Sequence, residues 1–165
     1  MRYSITMRSA LSSVNIKDEN DNILYKVKHA KKISFGYNML FMDSNDTVKY
    51  SIVKKGIGSK YRVYEQEKEI LELKKAASLL KPKVSIKSSK GDFSVKGNFN
   101  KHKYTLSKNN RVVAEISKKM INLKNVYFFD STVQEGIELL LIVSVILDNL
   151  AYEHEQSLQR SDYDD

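Results

Sequence analysis

The chain has 165 residues, no cysteine and a formal net charge of +8. That length suits one domain with a core of its own, and the absence of thiols excludes disulfides, thiolate metal sites and a cysteine nucleophile. With 41% hydrophobic and 29% charged residues, one proline and six glycines, the composition is that of a globular protein without long disordered linkers.

The charge is unevenly placed. Residues 1–130 carry a net +15 and residues 131–165 a net −7. A basic body suits anionic partners: nucleic acid, a phospholipid surface or a phosphorylated ligand. The plainer reading is that lysines keep a β-rich surface soluble and block edge pairing. The opening stretch "MRYSITMRSALSSVNIKDEN" has no continuous apolar segment of the secretory kind. The expectation is a cytoplasmic protein, or one resting on the inner face of a membrane.

In chain order, a short strand is expected near Tyr3–Met7, and then one pattern repeats. Two alternating runs flank a polar turn in "VNIKDENDNILYKVK", "LFMDSNDTVKYSIVKK", "YRVYEQEKEILELKK", "VSIKSSKGDFSVKGN" and "YTLSKNNRVVAEISKK". Asp, Asn, Ser and Gly in the turns tolerate tight or left-handed backbone. The flanks alternate with period two: Val84 and Ile86, then Phe93 and Val95; Tyr104 and Leu106, then Val112, Ala114 and Ile116. These are hairpins of a sheet with one apolar face and one wet face. Further short strands near Ile33–Phe35 and Val126–Asp130 bring the expected total to roughly twelve. A sheet of that size curls or closes, and its inner face needs filling.

The filling is "EGIELLLIVSVILDNL", Glu135 to Leu150. A membrane span needs about 20 apolar residues, and this run is shorter, with acids at both ends and no basic flank. As a helix over about 134–150 it is apolar all round, so it must be buried all round. Ser131 or Thr132 would serve as N-cap, and Glu135 and Glu138 would favour the positive end of the dipole. The β-branched residues also suit a strand, but a lone strand of this length is less usual. The fold class expected is therefore mainly β: a closed antiparallel barrel of about twelve strands enclosing one C-terminal helix. A single domain is expected over 1–152. The remaining "EHEQSLQRSDYDD", residues 153–165, reads as an acidic, disordered tail.

Successive strand–turn–strand units followed by "RVVAEISKK", "NVYFFD" and a terminal helix ending "VILDNL" resemble the LURP-one-related family. That family is similar in fold to the Tubby C-terminal domain and the phospholipid scramblases. The resemblance covers about residues 1–150. It implies a twelve-stranded barrel around a central helix, and a ligand-binding or membrane-associated module. No functional residue carries over, because the scramblase metal-binding segment and anchor have no counterpart here.

The residues themselves announce no reaction. His29, His102 and His154 are far apart, with no His-x-x-x-His spacing. "DENDN" and "DSND" lack the full calcium loop and its distal glutamate. There is no Gly-x-Ser-x-Gly, and Glu65, Glu67 and Glu69 belong to an exposed turn. No cofactor is expected.

One stretch has the makings of an anion site. In "KKGIGSKYR", Gly56 and Gly58 permit left-handed backbone, so consecutive N–H groups could form a nest. Lys54, Lys55, Lys60 and Arg62 would supply charge and Ser59 a hydroxyl. A solvated loop is the plainer alternative. The function expected is a non-enzymatic binding module for anionic phospholipid or a phosphorylated ligand. The alternative is a scaffold for a protein partner. No nucleic-acid signature is visible, so sequence-specific nucleic-acid binding is not expected.

Overall fold

The computed structural model of the chain describes residues 1–6, 13–29, 36–55, 60–76, 83–121 and 124–161. Twelve strands come first: β1 (Arg2–Thr6), β2 (Val14–Lys17), β3 (Ile23–His29), β4 (Gly36–Asp43), β5 (Val48–Lys55) and β6 (Lys60–Glu65), then β7 (Lys68–Lys75), β8 (Val84–Ser88), β9 (Phe93–Asn98), β10 (Lys103–Lys108), β11 (Arg111–Ile121) and β12 (Lys124–Ser131). One helix, α1 (Ile137–Ser161), follows. All ladders are antiparallel and form one sheet, ordered β8-β7-β6-β5-β4-β3-β2-β1-β12-β11-β10-β9.

The sheet curls until β8 and β9 lie side by side. Among the described residues no ladder joins them, so the barrel is nearly closed, with a seam. The expected hairpin over residues 84–98 is therefore corrected: β8 pairs β7 and β9 pairs β10 instead. Alternation locates two strands and a turn, but it does not say whether their facing edges bond. Lys87 and Lys96 stand on these two edge strands, where lysine discourages pairing with other chains. The other four expected hairpins pair as read.

Period-two alternation turns Ile5, Ile16, Val27, Phe41, Ile52, Val63, Leu73, Leu106 and Phe129 inward, each at most 1% exposed. They meet α1, whose Leu140, Leu141, Ile142, Val143, Val145, Ile146, Leu147 and Leu150 are buried on every side. Barrel and helix are one core. Ser144, buried among them, donates from Oγ to the Leu141 carbonyl at 2.6 Å, three residues back.

Three expectations about the helix need correction. It begins at Ile137, later than 134. Neither Ser131 nor Thr132 caps it, because both finish the sheet. Ser131 Oγ lies 3.2 Å from the Val113 carbonyl and accepts the Val133 N–H at 3.1 Å, and Thr132 Oγ1 donates to the Val113 carbonyl at 3.3 Å. Gly136, at φ +73°, turns the chain instead, and its carbonyl accepts the Leu140 N–H. The helix also runs past Leu150 to Ser161, through most of the stretch read as disordered. Residues 162–165 and the strand expected at Ile33–Phe35 lie outside the described residues; β4 begins at Gly36.

Candidate functional site

In an all-antiparallel barrel, alternate connections emerge at opposite ends. The β2–β3, β4–β5, β6–β7, β8–β9 and β10–β11 turns and the approach to α1 share one end. The odd-to-even connections, from β1–β2 to β11–β12, share the other, where the C-terminal half of α1 emerges.

The first end is built from tight turns. Asp18 and Asp43 perform the same task in two of them: each carboxylate accepts two backbone N–H groups, from Asn20 and Asn22 at 2.9 Å and from Asn45 and Thr47 at 2.9 and 3.0 Å. Asp21, Asp46, Gln66, Asn109 and Asn110 take positive φ there, the conformation such hairpins require. Residues 18–22, 43–47, 65–67 and 131–136 hold eight acids and no lysine or arginine, while the β8–β9 and β10–β11 turns of the same end, with their flanks, add Lys90, Asp92, Lys108 and Arg111. An open groove of about 630 Å³ lies at this end, lined by Arg2, Asp18, Glu19, Asp21, Phe128 and Asp130 among others. Arg2 spans Asp130 there with two hydrogen bonds, at 2.7 and 3.1 Å.

The second end has the opposite charge. Residues 28–36, 54–60, 74–83, 98–103 and 118–125 hold fifteen lysines and no acid. Lys74, Lys83, Lys101, Lys103 and Lys119 are exposed and pair with no carboxylate among the described residues.

Inside this rim, three consecutive helix residues fasten α1 to the barrel wall. Glu153 pairs with Lys54, near the end of β5, and accepts from the Tyr61 hydroxyl at 2.7 Å. His154 is buried against Phe99, with Lys75 Nζ 3.4 Å from its Nδ1. Glu155 lies 2.8 Å from His102 Nε2, and His102 Nδ1 is 3.0 Å from the Tyr127 hydroxyl. Desolvation, then the Lys75 charge, pushes His154 below its ordinary value. Desolvation also lowers Lys75.

One turn deeper, Asp148 faces the Tyr127 hydroxyl, with Lys118 of β11, His102 and Glu155 around it. Burial pushes its carboxyl up, opposed by the Tyr127 hydrogen bond and by the charges of Lys118 and His102. The Tyr104 hydroxyl is buried beside this group without a hydrogen-bond partner among the described residues. Burial raises both tyrosines well above the ordinary phenol range.

The candidate anion site falls on this end, and the pleat divides it. Lys54 stands opposite Tyr61 in register and points inward with it, its Nζ 5.7 Å from the Tyr61 ring. Lys60 and Arg62 alternate to the outer face, where Glu72 of β7 takes both, at 3.1 and 3.3 Å, and Glu69 lies 3.8 Å from Arg62. The side chain of Lys55, and all of Gly56, Gly58 and Ser59, lie outside the described residues. Sequence reading missed Glu153, His154 and Glu155, because counting apolar residues undervalues a buried histidine. The i, i+3, i+4 spacing of Leu147, Leu150, Ala151 and His154 was the available signal.

Among the described residues no helix is long and apolar enough to cross a membrane, and no group of three or more histidine or acidic side chains is gathered for a metal. No curated protein matches the chain. An X-ray structure of a protein from Arabidopsis thaliana is similar to it, with a TM-score of 0.61, 18% identity, and coverage of 90% of this chain and 91% of that one. At that identity the likeness shows the fold alone. The family model for LURP-one-related proteins matches residues 1–147, all twelve strands and the first eleven residues of α1, and the chain belongs to that family.

Proposed function

We propose that the protein is a non-enzymatic binding module that docks on anionic phospholipid through the lysine-bearing end of the barrel, at the inner face of a membrane. One observation carries this reading. Among the described residues nine lysines, from Lys54 and Lys60 to Lys118 and Lys119, stand where the odd-to-even connections leave the barrel, in stretches of sequence that hold no acid. Spread over the whole surface, the same lysines would serve solubility alone. Gathered at one end, they meet a flat anionic surface together, at about 1 kcal/mol for each lysine near it. Of the candidate anion site, Lys54 pairs with Glu153 and Lys60 and Arg62 pair with Glu72, so these three bind a phosphate group only by exchange with those carboxylates.

Co-sedimentation with vesicles tests the reading. Recovery is expected on vesicles containing phosphatidylserine or a phosphoinositide, little on phosphatidylcholine alone, and less as salt rises, because screening limits the reach of surface charge to about 8–10 Å. Equal recovery on neutral and anionic vesicles overturns it and leaves the barrel as a scaffold for a protein partner.

A further inference from the structure

Among the described residues, the last rung of β1 on β12 is Thr6–Val126 and the first rung of β10 on β11 is Lys103–Ser117. The β11–β12 ladder continues past both, through Met120–Asn125 and Ile121–Lys124. These last two rungs form a ribbon at the lysine-bearing end. At about 3.3 Å per residue it extends some 7 Å.

The ribbon carries the wrong residues for a water-exposed hairpin. Met120 is 73% exposed, the most exposed of the large apolar residues described, and Ile121 is 42% exposed. Ile23, Val48 and Val112 are also exposed, but singly, after the tight turns of the other end. Among the described residues, only here do two consecutive large exposed apolar residues, one on each face of the ribbon, end a strand that also carries lysine. Lys118 and Lys119 lie at its root, and Lys124 stands opposite Ile121 in register. Lys119 leans its ammonium over the Phe128 ring, 5.5 Å from the centroid.

Resting on the membrane-docking reading above, we infer that the β11–β12 ribbon is the element that enters the bilayer, with Met120 and Ile121 in the boundary between headgroups and acyl chains and the lysines at its root against anionic headgroups. The dimensions agree, because interfacial elements bury their apolar side by about 5–10 Å. The two strands satisfy each other's inner N–H and C=O groups, and their outer groups stay at headgroup depth, where water reaches them. Lysine stems extend along apolar surface while the ammonium remains among phosphates. The charge selects the occupant: a ribbon whose residues 116–125 hold three lysines and no acid complements an anionic bilayer.

The chain contains no tryptophan, so one introduced indole reports on one place. Met120→Trp and, as a control at the opposite end, Val112→Trp are mixed with vesicles of phosphatidylcholine and phosphatidylserine, with and without bromine on the upper acyl chain. The Met120→Trp emission should shift to the blue and be quenched by the bromines, and the Val112→Trp emission should do neither. A Met120→Ser/Ile121→Ser double variant should bind these vesicles about tenfold more weakly, with its salt dependence kept. If the parent binds anionic vesicles while the Met120→Trp emission is unmoved and the double variant binds as well as the parent, the ribbon inference fails and the docking reading stands. If the parent binds neither kind of vesicle, both fail.

Discussion

The two ends of the barrel close the same strands by different means. At one end, short acidic turns hold themselves in place: Asp18 and Asp43 fold their own backbone N–H groups inward, and positive φ at Asp21 and Asp46 completes a turn that the chain uses twice. At the other, the described β9–β10 turn is also held locally, with Asn98 accepting the Lys101 N–H at 3.1 Å, but the helix adds contacts of long range. Glu153, His154 and Glu155 of the helix reach out to Lys54 and Tyr61, to Lys75, and to His102. Among the described residues, turn chemistry holds the first end, while the second adds tertiary contact from the helix.

The strongest blow to both ends is a change in the rod that joins them. Val145→Asp would place an unpaired charge inside the barrel, at a cost of several kcal/mol against a total stability of about 5–15 kcal/mol, leaving little soluble folded protein. A soluble variant with the parent's melting temperature would show that the helix is not the common core. Leu141→Ala should cost about 2–5 kcal/mol by opening a cavity, measured by urea unfolding.

Smaller changes separate the ends. Gly97 lies near the lysine-bearing end of β9, where an added Cβ would come within 2.3 Å of the Lys103 carbonyl and 2.8 Å of Tyr104 Cα. Both are backbone, so Gly97→Ala should cost about 1–3 kcal/mol by overpacking. Asp43→Ala, at the turn end, should cost about 1–2 kcal/mol by freeing the N–H groups of Asn45 and Thr47. Chemical unfolding of the two variants side by side compares packing with turn chemistry.

Acid should act on the helix-clamped end, with two opposed signs. His154 is lowered, so the folded state favours its neutral form. Its contribution is complete above 6.5 and is lost as pH falls below that value. His29, lowered by desolvation, acts in the same direction. Asp148 is raised, so its burial penalty is present at neutral pH and is relieved as pH falls through its raised value toward 3.8. His154→Leu should therefore lose less stability than the parent between pH 7 and pH 5. Asp148→Asn should raise the melting temperature at pH 7 and flatten the gain on acidification. Thermal melts across that range would expose a reversed sign in either variant.

The smallest effect on stability should come from the lysine rim. Lys101→Glu, Lys103→Glu and Lys119→Glu together should change stability by less than about 0.5 kcal/mol for each substitution while abolishing retention on anionic vesicles. If retention survives, the segregation of charge is not the docking device.

Most of the fold was legible because hairpins are local. "DENDN" and "KNNR" announce their turns, and alternation announces the faces that Ile16 and Leu106 bury. The seam was not legible, because β8 and β9 read like any hairpin; their separation depends on where the curling sheet runs out of circumference. The end of the helix was underestimated because after Leu150 its contacts become polar, with Glu153 and Glu155 held by partners far away in the chain. Of the candidate site, the lysines were visible as composition. Their meeting at one end follows only from strand order, and so does the division of Lys54 from Lys60 and Arg62 across the pleat.

The buried helix follows every strand in the chain, and this order has a consequence for synthesis. On a ribosome, β1 emerges long before its partner β12, and all twelve strands are made before the element that fills them. Until α1 arrives, the inner faces of Phe41, Ile52 and Phe129 have no interior to line, and the sheet cannot reach its native curvature. The hairpins can form early, being local, but the barrel is completed in one late step that joins the chain's first strand to its last elements. Such long-range closure is slow and exposes apolar surface while it waits. Lysine on the edge strands, Lys87 of β8 and Lys96 of β9, discourages pairing between such open sheets.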